Sequence, residues 1–389
     1  MGVTPRHGGP HPPTSVYIDA RPAPPPKPLH RDSWTEDEEA AKAARQQGHT
    51  FCTRFKFGIW LSIVVLLIAA VVGLSVTMAL MSKDKGGSGP APSPSDIEGG
   101  GSGSGGTSGS GNTGPLPVPS TPPFSVPKGN HAIWWDEFEG SSLDTSKWSY
   151  DLGNGDWGWG NNESEVYTKD NVWVADGNLY LTALYDGKTY TSGRINTKST
   201  ASFWPGMQLD DGTSFKSLHI EARMRLPEPG QGLWPAFWMF PTDLTYGKWA
   251  ASGEIDILES INDMVTATQG IHFGGPDPEN VKAMARTRQS DKSPFSDGFH
   301  TFAVDWSLGK ITVSVDGEAA ETFLPREKDP EGGWWTAAAN ASPEAPFDRP
   351  FYIIMNLAVG GLWPKYPDSS TPLPATLTVD HVRVWGQPM

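Results

Sequence analysis

The chain has 389 residues, with 30 basic and 44 acidic side chains and a formal net charge of −14. This acidic balance argues against a nucleic acid ligand and suits an uncharged one. A single cysteine, Cys52, excludes a disulfide within the chain.

Three segments precede the globular part of the chain. Residues 1–56 are rich in proline and poor in large apolar side chains, which predicts a disordered tail. Residues 57–81 contain no charged side chain, and a helix of that length covers the roughly 30 Å hydrocarbon core of a bilayer. Residues 82–130 are rich in glycine, serine and proline and predict a linker.

The predicted membrane span, residues 57–81, has more basic residues shortly before it than shortly after it. This bias places the N-terminal tail in the cytoplasm. The span begins too far from the N-terminus, and is too long, for a cleaved secretory signal. We therefore predict a single transmembrane signal-anchor helix and a type II protein, whose C-terminal domain is extracellular or lumenal in the secretory pathway.

Residues 131–389 contain short alternating runs of apolar and polar side chains separated by turn-forming residues. Such runs favour β-strands, because successive side chains of a strand point to opposite faces. The clearest runs cover residues 178–184, 219–225, 301–306 and 311–316. No long amphipathic helix interrupts them, so the pattern predicts an all-β domain of two packed antiparallel sheets.

One of these runs, EIDILE, begins at Glu254, ends at Glu259 and carries three acids. Regular alternation puts Glu254 and Asp256 on one face of a strand and Glu259 on the other. A β-bulge at Ile257 or Leu258 returns Glu259 to the face of Glu254. The carboxyl groups could then approach to roughly 5–6 Å, the separation of a retaining glycosidase pair. From spacing alone, an edge strand with three solvated acids remains the alternative.

Further motifs surround these acids in a fixed order. They occupy residues 161–163 (NNE), 192–198 (SGRINTK), 232–241 (GLWPAFWMFP), 270–274 (GIHFG), 356–361 (NLAVGG) and 380–385 (DHVRVW). With them, residues 131–389 resemble the laminarinase-like branch of glycoside hydrolase family 16. The resemblance implies a β-jelly-roll sandwich of the concanavalin-like kind, with a substrate cleft across its concave sheet. The implied activity is endo-hydrolysis of β-1,3-glucan, with mixed β-1,3/1,4-glucan as a second substrate.

The resemblance also implies a role for each acid in a retaining, double-displacement reaction. Glu254 would be the nucleophile and Glu259 the acid/base, although the near-symmetry of the motif does not itself distinguish them. Asp256 would hydrogen-bond the nucleophile and help to set its charge. Residues matching the substrate-binding positions of the family are Asn162, Glu163, Arg194, Trp234, Trp249, His272 and Asn356.

The implied chemistry requires no cofactor, but many relatives carry a structural calcium ion on the convex face. Asp380 matches the aspartate ligand of that ion, and Glu139 and Gly177 could supply carbonyl oxygens, which suit calcium. An Asp380 with a purely structural role is the alternative. The expected partner is a β-glucan polysaccharide, bound by a monomer that one helix anchors to the membrane, with no nucleic acid involved.

Two other functions fit the same sequence. A membrane-anchored transglycosylase would use the same glutamates to remodel cell-wall β-glucan. A catalytically inactive β-glucan-binding receptor would use the jelly roll as a lectin, although Glu254 and Glu259 are both present. Ser260 departs from the family pattern, in which an aromatic or charged residue often precedes the Ile-Asn pair. This difference does not affect the catalytic roles, but it leaves open which glucan linkage the site prefers.

Overall fold

Two β-sheets make up the part of the chain that the computed structural model describes, residues 113–389. Their strands, in chain order, are β1 His131–Asp136, β2 Ser149–Tyr150, β3 Glu165–Tyr167, β4 Val172–Ala175, β5 Asn178–Tyr185, β6 Tyr190–Ser192, β7 Arg194–Asn196, β8 Phe215–Arg225, β9 Leu233–Pro241, β10 Glu254–Glu259, β11 Ala267–Gly274, β12 Asn280–Thr287, β13 His300–Ser307, β14 Lys310–Val315, β15 Glu318–Phe323, β16 Phe351–Val359 and β17 Ala375–Pro388. Two short helical turns, Gly158–Asn162 and Lys169–Asn171, flank β3.

The seven-stranded sheet has the order β12-β11-β10-β9-β16-β7-β2. The ten-stranded sheet has the order β15-β14-β13-β8-β17-β5-β6-β3, with β1 paired to β17 and β4 paired to β5. The pairing of β3 with β6 is parallel, and the other pairings between these strands are antiparallel. Strands distant in sequence therefore lie side by side, and β10, which carries the three acids, is an interior strand of the smaller sheet.

Alternating burial builds the hydrophobic core between the sheets. On β8, Leu218, Ile220, Ala222 and Met224 are buried, whereas the residues between them are at least partly exposed. Residues of the other sheet, such as Phe237 on β9, belong to the same core. Fully burying one large apolar side chain contributes about 1.5–3 kcal/mol, so a core of this size stabilises the sandwich. The prediction of an all-β sandwich is confirmed.

Part of the predicted linker packs onto this sandwich. Leu116 is buried and forms a parallel bridge with Leu209. The ring of Phe124 lies edge-on to Trp135 at 5.8 Å and 6.1 Å from Trp385. The packed unit therefore begins before the boundary at residue 131 that composition predicted.

The predicted tail, residues 1–56, and the predicted transmembrane helix, residues 57–81, lie outside the described residues. Among residues 113–389, no helix is long and apolar enough to cross a membrane. The anchor therefore remains a prediction from the sequence.

Candidate active site

The three acids of β10 share one face of the smaller sheet because the strand contains a bulge. Asp256 pairs with Trp238 of β9 and Glu259 pairs with Ala236, so three steps on β10 match two on β9. Trp238 and Ala236 lie on one face of β9, and paired residues face the same way. Asp256 and Glu259 therefore face the same side, with Ile257 as the extra residue. The bulge occurs at one of the two predicted positions.

Indole N–H groups hold both glutamates. Trp249 Nε1 donates a hydrogen bond to Glu254 Oε2 at 2.7 Å. Trp234 Nε1 donates one to Glu259 Oε1 at 3.1 Å. A donor to a carboxylate favours its ionised form and restricts its rotamer. Both predicted tryptophans thus contact the predicted acids directly.

Asp256 and His272 complete a compact group with Glu254. His272 pairs with Glu254 across β10 and β11. Its Nε2 lies 3.4 Å from Asp256 Oδ2 and 4.0 Å from Glu254 Oε1. Asp256 is 2% exposed, and its carboxyl group hydrogen-bonds with that of Glu254. Two buried carboxyl groups in contact hold one proton between them, because two adjacent charges there would be strongly disfavoured.

Burial dominates the electrostatics of the site. Desolvation, with the charge of Glu259, raises the pKa of Glu254 to about 8. Desolvation raises the pKa of Glu259 to about 7 and holds the pKa of Asp256 well above its usual range. The three acids therefore do not all ionise at neutral pH. A site with one charged and one neutral carboxyl group can combine nucleophilic attack with general acid catalysis.

Arg194 and Asn356 lie opposite each other on β7 and β16, beside the acids. The Arg194 guanidinium lies 4.3 Å from the ring centre of Trp159 and 5.1 Å from that of Trp238. Its Nε donates to Asp151 Oδ2 at 2.9 Å. Asn356 Oδ1 accepts a hydrogen bond from Trp238 Nε1 at 2.8 Å. Arg194 thus forms an ion pair with Asp151, and its side chain is only 10% exposed.

The first two residues of the predicted NNE motif end the tight turn Gly158–Asn162, and Glu163 follows the turn. Gly158 has φ +57°, and a Cβ there would collide with the backbone of Glu163, so the turn requires glycine. The Asn162 side-chain amide hydrogen-bonds the hydroxyl of Tyr366. Asn161 Nδ2 donates to Glu163 Oε1 at 2.9 Å. The structure therefore places Glu163 within reach of the charge of Arg194, whereas Asn162 contacts Tyr366.

Four residues of this region were not predicted: Asp151, Trp159, Glu165 and Tyr167. Tyr167 Oη accepts a hydrogen bond from Asn356 Nδ2 at 3.2 Å, and Glu165 is fully buried. Glu163, Glu165 and Tyr167 alternate in sequence, and this parity could have indicated that they share a face.

The predicted calcium ligands fit that ion poorly. Asp380 Oδ2 already lies 3.0 Å from Arg223 Nη1 and 2.9 Å from His381 Nδ1, so cationic and polar partners compensate its charge. Gly177 forms the turn between β4 and β5 with φ +70°. Within residues 113–389, the one cluster of side chains with metal-ligand spacing consists of Glu254, Asp256 and His272, which belongs to the site itself.

Comparison with known proteins points to one family. The family model "Glycosyl hydrolases family 16" matches residues 160–380. A glucan endo-1,3-beta-glucosidase A1 of Niallia circulans is 40% identical over 69% of this chain and 39% of its own length. A beta-glucanase of Rhodothermus marinus is 36% identical over 65% of this chain and 84% of its own length. The chain thus spans about two fifths of the first relative and most of the second.

Solved structures agree with the sequence relatives. The endo-beta-1,3-glucanase from Pyrococcus furiosus has a TM-score of 0.55 and 34% identity, covering 66% of this chain and 94% of that one. The non-specific endo-beta-1,3(4)-glucanase SCLam has a TM-score of 0.53 and 29% identity, covering 70% of this chain and 97% of that one. The family match over residues 160–380 includes β10 with Glu254, Asp256 and Glu259.

Proposed function

The chain belongs to the family 16 glycosyl hydrolases, and we propose that it cuts β-1,3-glucan internally by retaining double displacement. The observation that carries this proposal is the bulged strand β10, which presents Glu254, Asp256 and Glu259 on one face. Two carboxyl groups on one face of a cleft are what the two steps of retaining hydrolysis require. The activities for which the relatives are named support the choice of β-1,3-glucan.

The position of one proton decides which glutamate attacks. Taken singly, pKa values of about 8 for Glu254 and about 7 for Glu259 would protonate Glu254 first. Glu254, however, accepts from the Trp249 N–H and shares a proton with the more deeply buried Asp256. Glu254 thus has two donors, the Trp249 N–H and the Asp256 carboxyl group, whereas Glu259 has one, the Trp234 N–H. The additional donor stabilises the charge on Glu254. We therefore assign the shared proton to Asp256 and the nucleophile to Glu254.

The reaction then follows from these charges. Ionised Glu254 attacks the anomeric carbon while neutral Glu259 gives its proton to the leaving oxygen. The resulting ester removes the negative charge of Glu254. A like charge raises the pKa of a neighbouring acid, so its loss lowers the pKa of Glu259. Glu259 becomes a base, takes a proton from water, and the hydroxide oxygen displaces Glu254 from the sugar.

Aromatic surfaces suit the uncharged glucan. Sugar rings present C–H faces that stack on indole rings. Trp234 lies at the edge of Trp363, with ring centres 5.2 Å apart, beside Glu259. Trp249 lies beside Glu254 at the other end of the acids. The formal charge of −14 also favours a neutral polymer over an acidic one.

Laminarin hydrolysis by the full-length chain tests this function, with new reducing ends as the measurement. We expect short oligosaccharides from the wild type and at least about a 10³-fold lower rate from Glu254→Gln and Glu259→Gln. Glu318→Gln, an exposed change at the start of β15, is the matched control and should keep the wild-type rate. A wild-type rate in either active-site variant would refute the assignment. Oligomers longer than an added laminari-oligosaccharide would instead identify a transglycosylase.

We also propose that residues 57–81 anchor the domain to a membrane, with the active site extracellular or lumenal. The uncharged length of this segment and the basic residues before it support the proposal. In membrane vesicles from cells that express the full chain, the protein should resist carbonate extraction. Removal of residues 57–81 should release it, and release of the intact chain by carbonate would contradict the anchor.

A further inference from the structure

A second pair of acids, Glu163 and Glu165, lies beside the first. Glu165 begins β3 and is 0% exposed, and Glu163 precedes it by two residues, so both side chains project to the same side. The two carboxyl groups hydrogen-bond with each other. Hydrogen bonding between two carboxyl groups requires a proton on one of them. The pair therefore repeats the arrangement of Glu254 and Asp256.

The surroundings of Glu165 favour the neutral acid. Its Oε2 accepts the Val359 N–H at 2.7 Å. Its Oε1 meets no N–H donor among the described residues, and the carboxyl group of Glu163 is close enough to hydrogen-bond with that of Glu165. An ionised carboxylate without water and with one neutral donor is costly to bury. Burial and the charge of Glu163 accordingly raise the pKa of Glu165 well above its usual range.

Burial raises the pKa of Glu163, but its polar neighbours act in the opposite direction and stabilise the carboxylate. Asn161 Nδ2 donates to its Oε1 at 2.9 Å, and Tyr167 Oη lies 3.5 Å from its Oε2. The positive charge of Arg194 also stabilises the ionised form. Three groups face Glu165: the carboxyl group of Glu163, the hydroxyl of Tyr167 and the N–H of Val359 on β16. The charge of Arg194 on β7 acts on Glu163 and Tyr167.

The charge on Glu163 acts on the reaction, because it adds to the effect of burial, which is the main cause of the raised pKa of Glu259. We propose that Glu165 is a positioning residue, a permanently neutral acid whose O–H holds the Glu163 carboxylate in place beside the acid/base Glu259. By holding the Glu163 carboxylate, Glu165 helps to keep Glu259 protonated for the first step of the reaction. It also fixes the position of Glu163 relative to the bound sugar. This inference rests on the proposed function, since it concerns the same site.

Three variants test the inference through the pH dependence of kcat on laminarin. Glu165→Leu removes the donor, and Glu163→Gln removes the charge. Each should move the alkaline limb, which reports loss of the Glu259 proton, to lower pH by about 1 unit. Glu165→Gln keeps an N–H donor to Glu163 and an acceptor for Val359, so it should rescue the wild-type profile. A profile of Glu165→Gln displaced as far as that of Glu165→Leu, or an unmoved limb in Glu163→Gln, would overturn the inference.

Infrared difference spectra between the wild type and Glu165→Gln supply a readout that needs no turnover. A protonated-carboxyl C=O band that persists at pH 8 in the wild type and is missing from the variant supports the neutral acid. Absence of such a band refutes it, even where Glu165→Leu does not fold. If the wild type leaves laminarin uncut while the band is present, the proposed function fails and the assignment of the proton to Glu165 stands.

Discussion

Two tryptophan N–H groups distinguish the roles of the two glutamates at the scale of single residues. Trp249→Phe and Trp234→Phe each keep an aromatic ring and delete one donor, to Glu254 and Glu259 respectively. Each lost donor raises the pKa of its glutamate, because the N–H stabilised the ionised form. Since Glu254 must be charged, Trp249→Phe should move the acid limb of kcat/KM to higher pH. Since Glu259 must be protonated, Trp234→Phe should move the alkaline limb to higher pH.

The pH–rate profile should therefore become narrower in Trp249→Phe and broader in Trp234→Phe. Loss of one hydrogen bond to a charged group, worth about 1.5–3 kcal/mol, corresponds to a shift of about 1–2 pH units. The measurement is the hydrolysis rate on laminarin between pH 4 and 10. If the limbs exchange, so that Trp249→Phe moves the alkaline one, Glu259 is the nucleophile and our assignment is reversed.

At the scale of elements, the bulge of β10 makes a prediction about chain length. Deleting Ile257 leaves Glu254, Asp256 and the last glutamate at alternate positions of a regular strand, so all three still share a face. The variant should fold and retain measurable laminarin hydrolysis, at a reduced rate because the twist that a bulge imposes is lost. Inserting one alanine after Ile257 with the bulge kept leaves an odd number of alternating steps between Glu254 and Glu259, so this variant should direct Glu259 toward the core and lose activity as Glu259→Gln does.

Thermal unfolding of both variants separates loss of activity from loss of fold. A deletion variant that folds but is inactive would show that placing Glu254 and Glu259 on one face of the sheet is not sufficient for activity. An insertion variant with the wild-type rate would show that it is not necessary. The bulge itself was predictable because residues 254, 256 and 259 can share one face of a strand only with an extra residue between them.

Other elements were predictable to different degrees. The alternating runs at residues 178–184 and 219–225 indicated β5 and β8, because one face of each strand is buried and the other is not. The tight turn before Glu163 was not predicted, because its residues Trp157, Trp159 and Asn162 have positive φ, which sequence rules assign mainly to glycine. The alternation of Glu163, Glu165 and Tyr167 indicates that they share a face, but the contact of Glu165 with Val359 of β16 joins residues that are distant in sequence.

At the scale of the whole molecule, Phe124 joins the segment before β1 to the ten-stranded sheet. Its ring contacts Trp135 and Trp385, and the Arg383 guanidinium lies 4.4 Å from its centre. Phe124→Ala should lower the free energy of unfolding by about 2 kcal/mol and Tm by roughly 4–8 °C. Activity on laminarin should not change, because this contact is on the sheet that lacks the acids. Val118→Ala, at a side chain that is 51% exposed, is the control and should leave Tm unchanged.

The active site also determines how the stability of the whole domain depends on pH. Burial raises the pKa of Glu259 from 4.5 to about 7, so between these values the folded state binds more protons than the unfolded state. Stability contributed by this group is therefore complete below pH 4.5 and is lost as pH rises through 7. Glu259→Gln removes this loss and should raise Tm at pH 8 while leaving it nearly unchanged at pH 4.5. The control Glu318→Gln, at an exposed side chain, should change Tm very little at either pH. If Glu259→Gln raised Tm equally at pH 4.5 and pH 8, burial of the Glu259 charge would not be the cause.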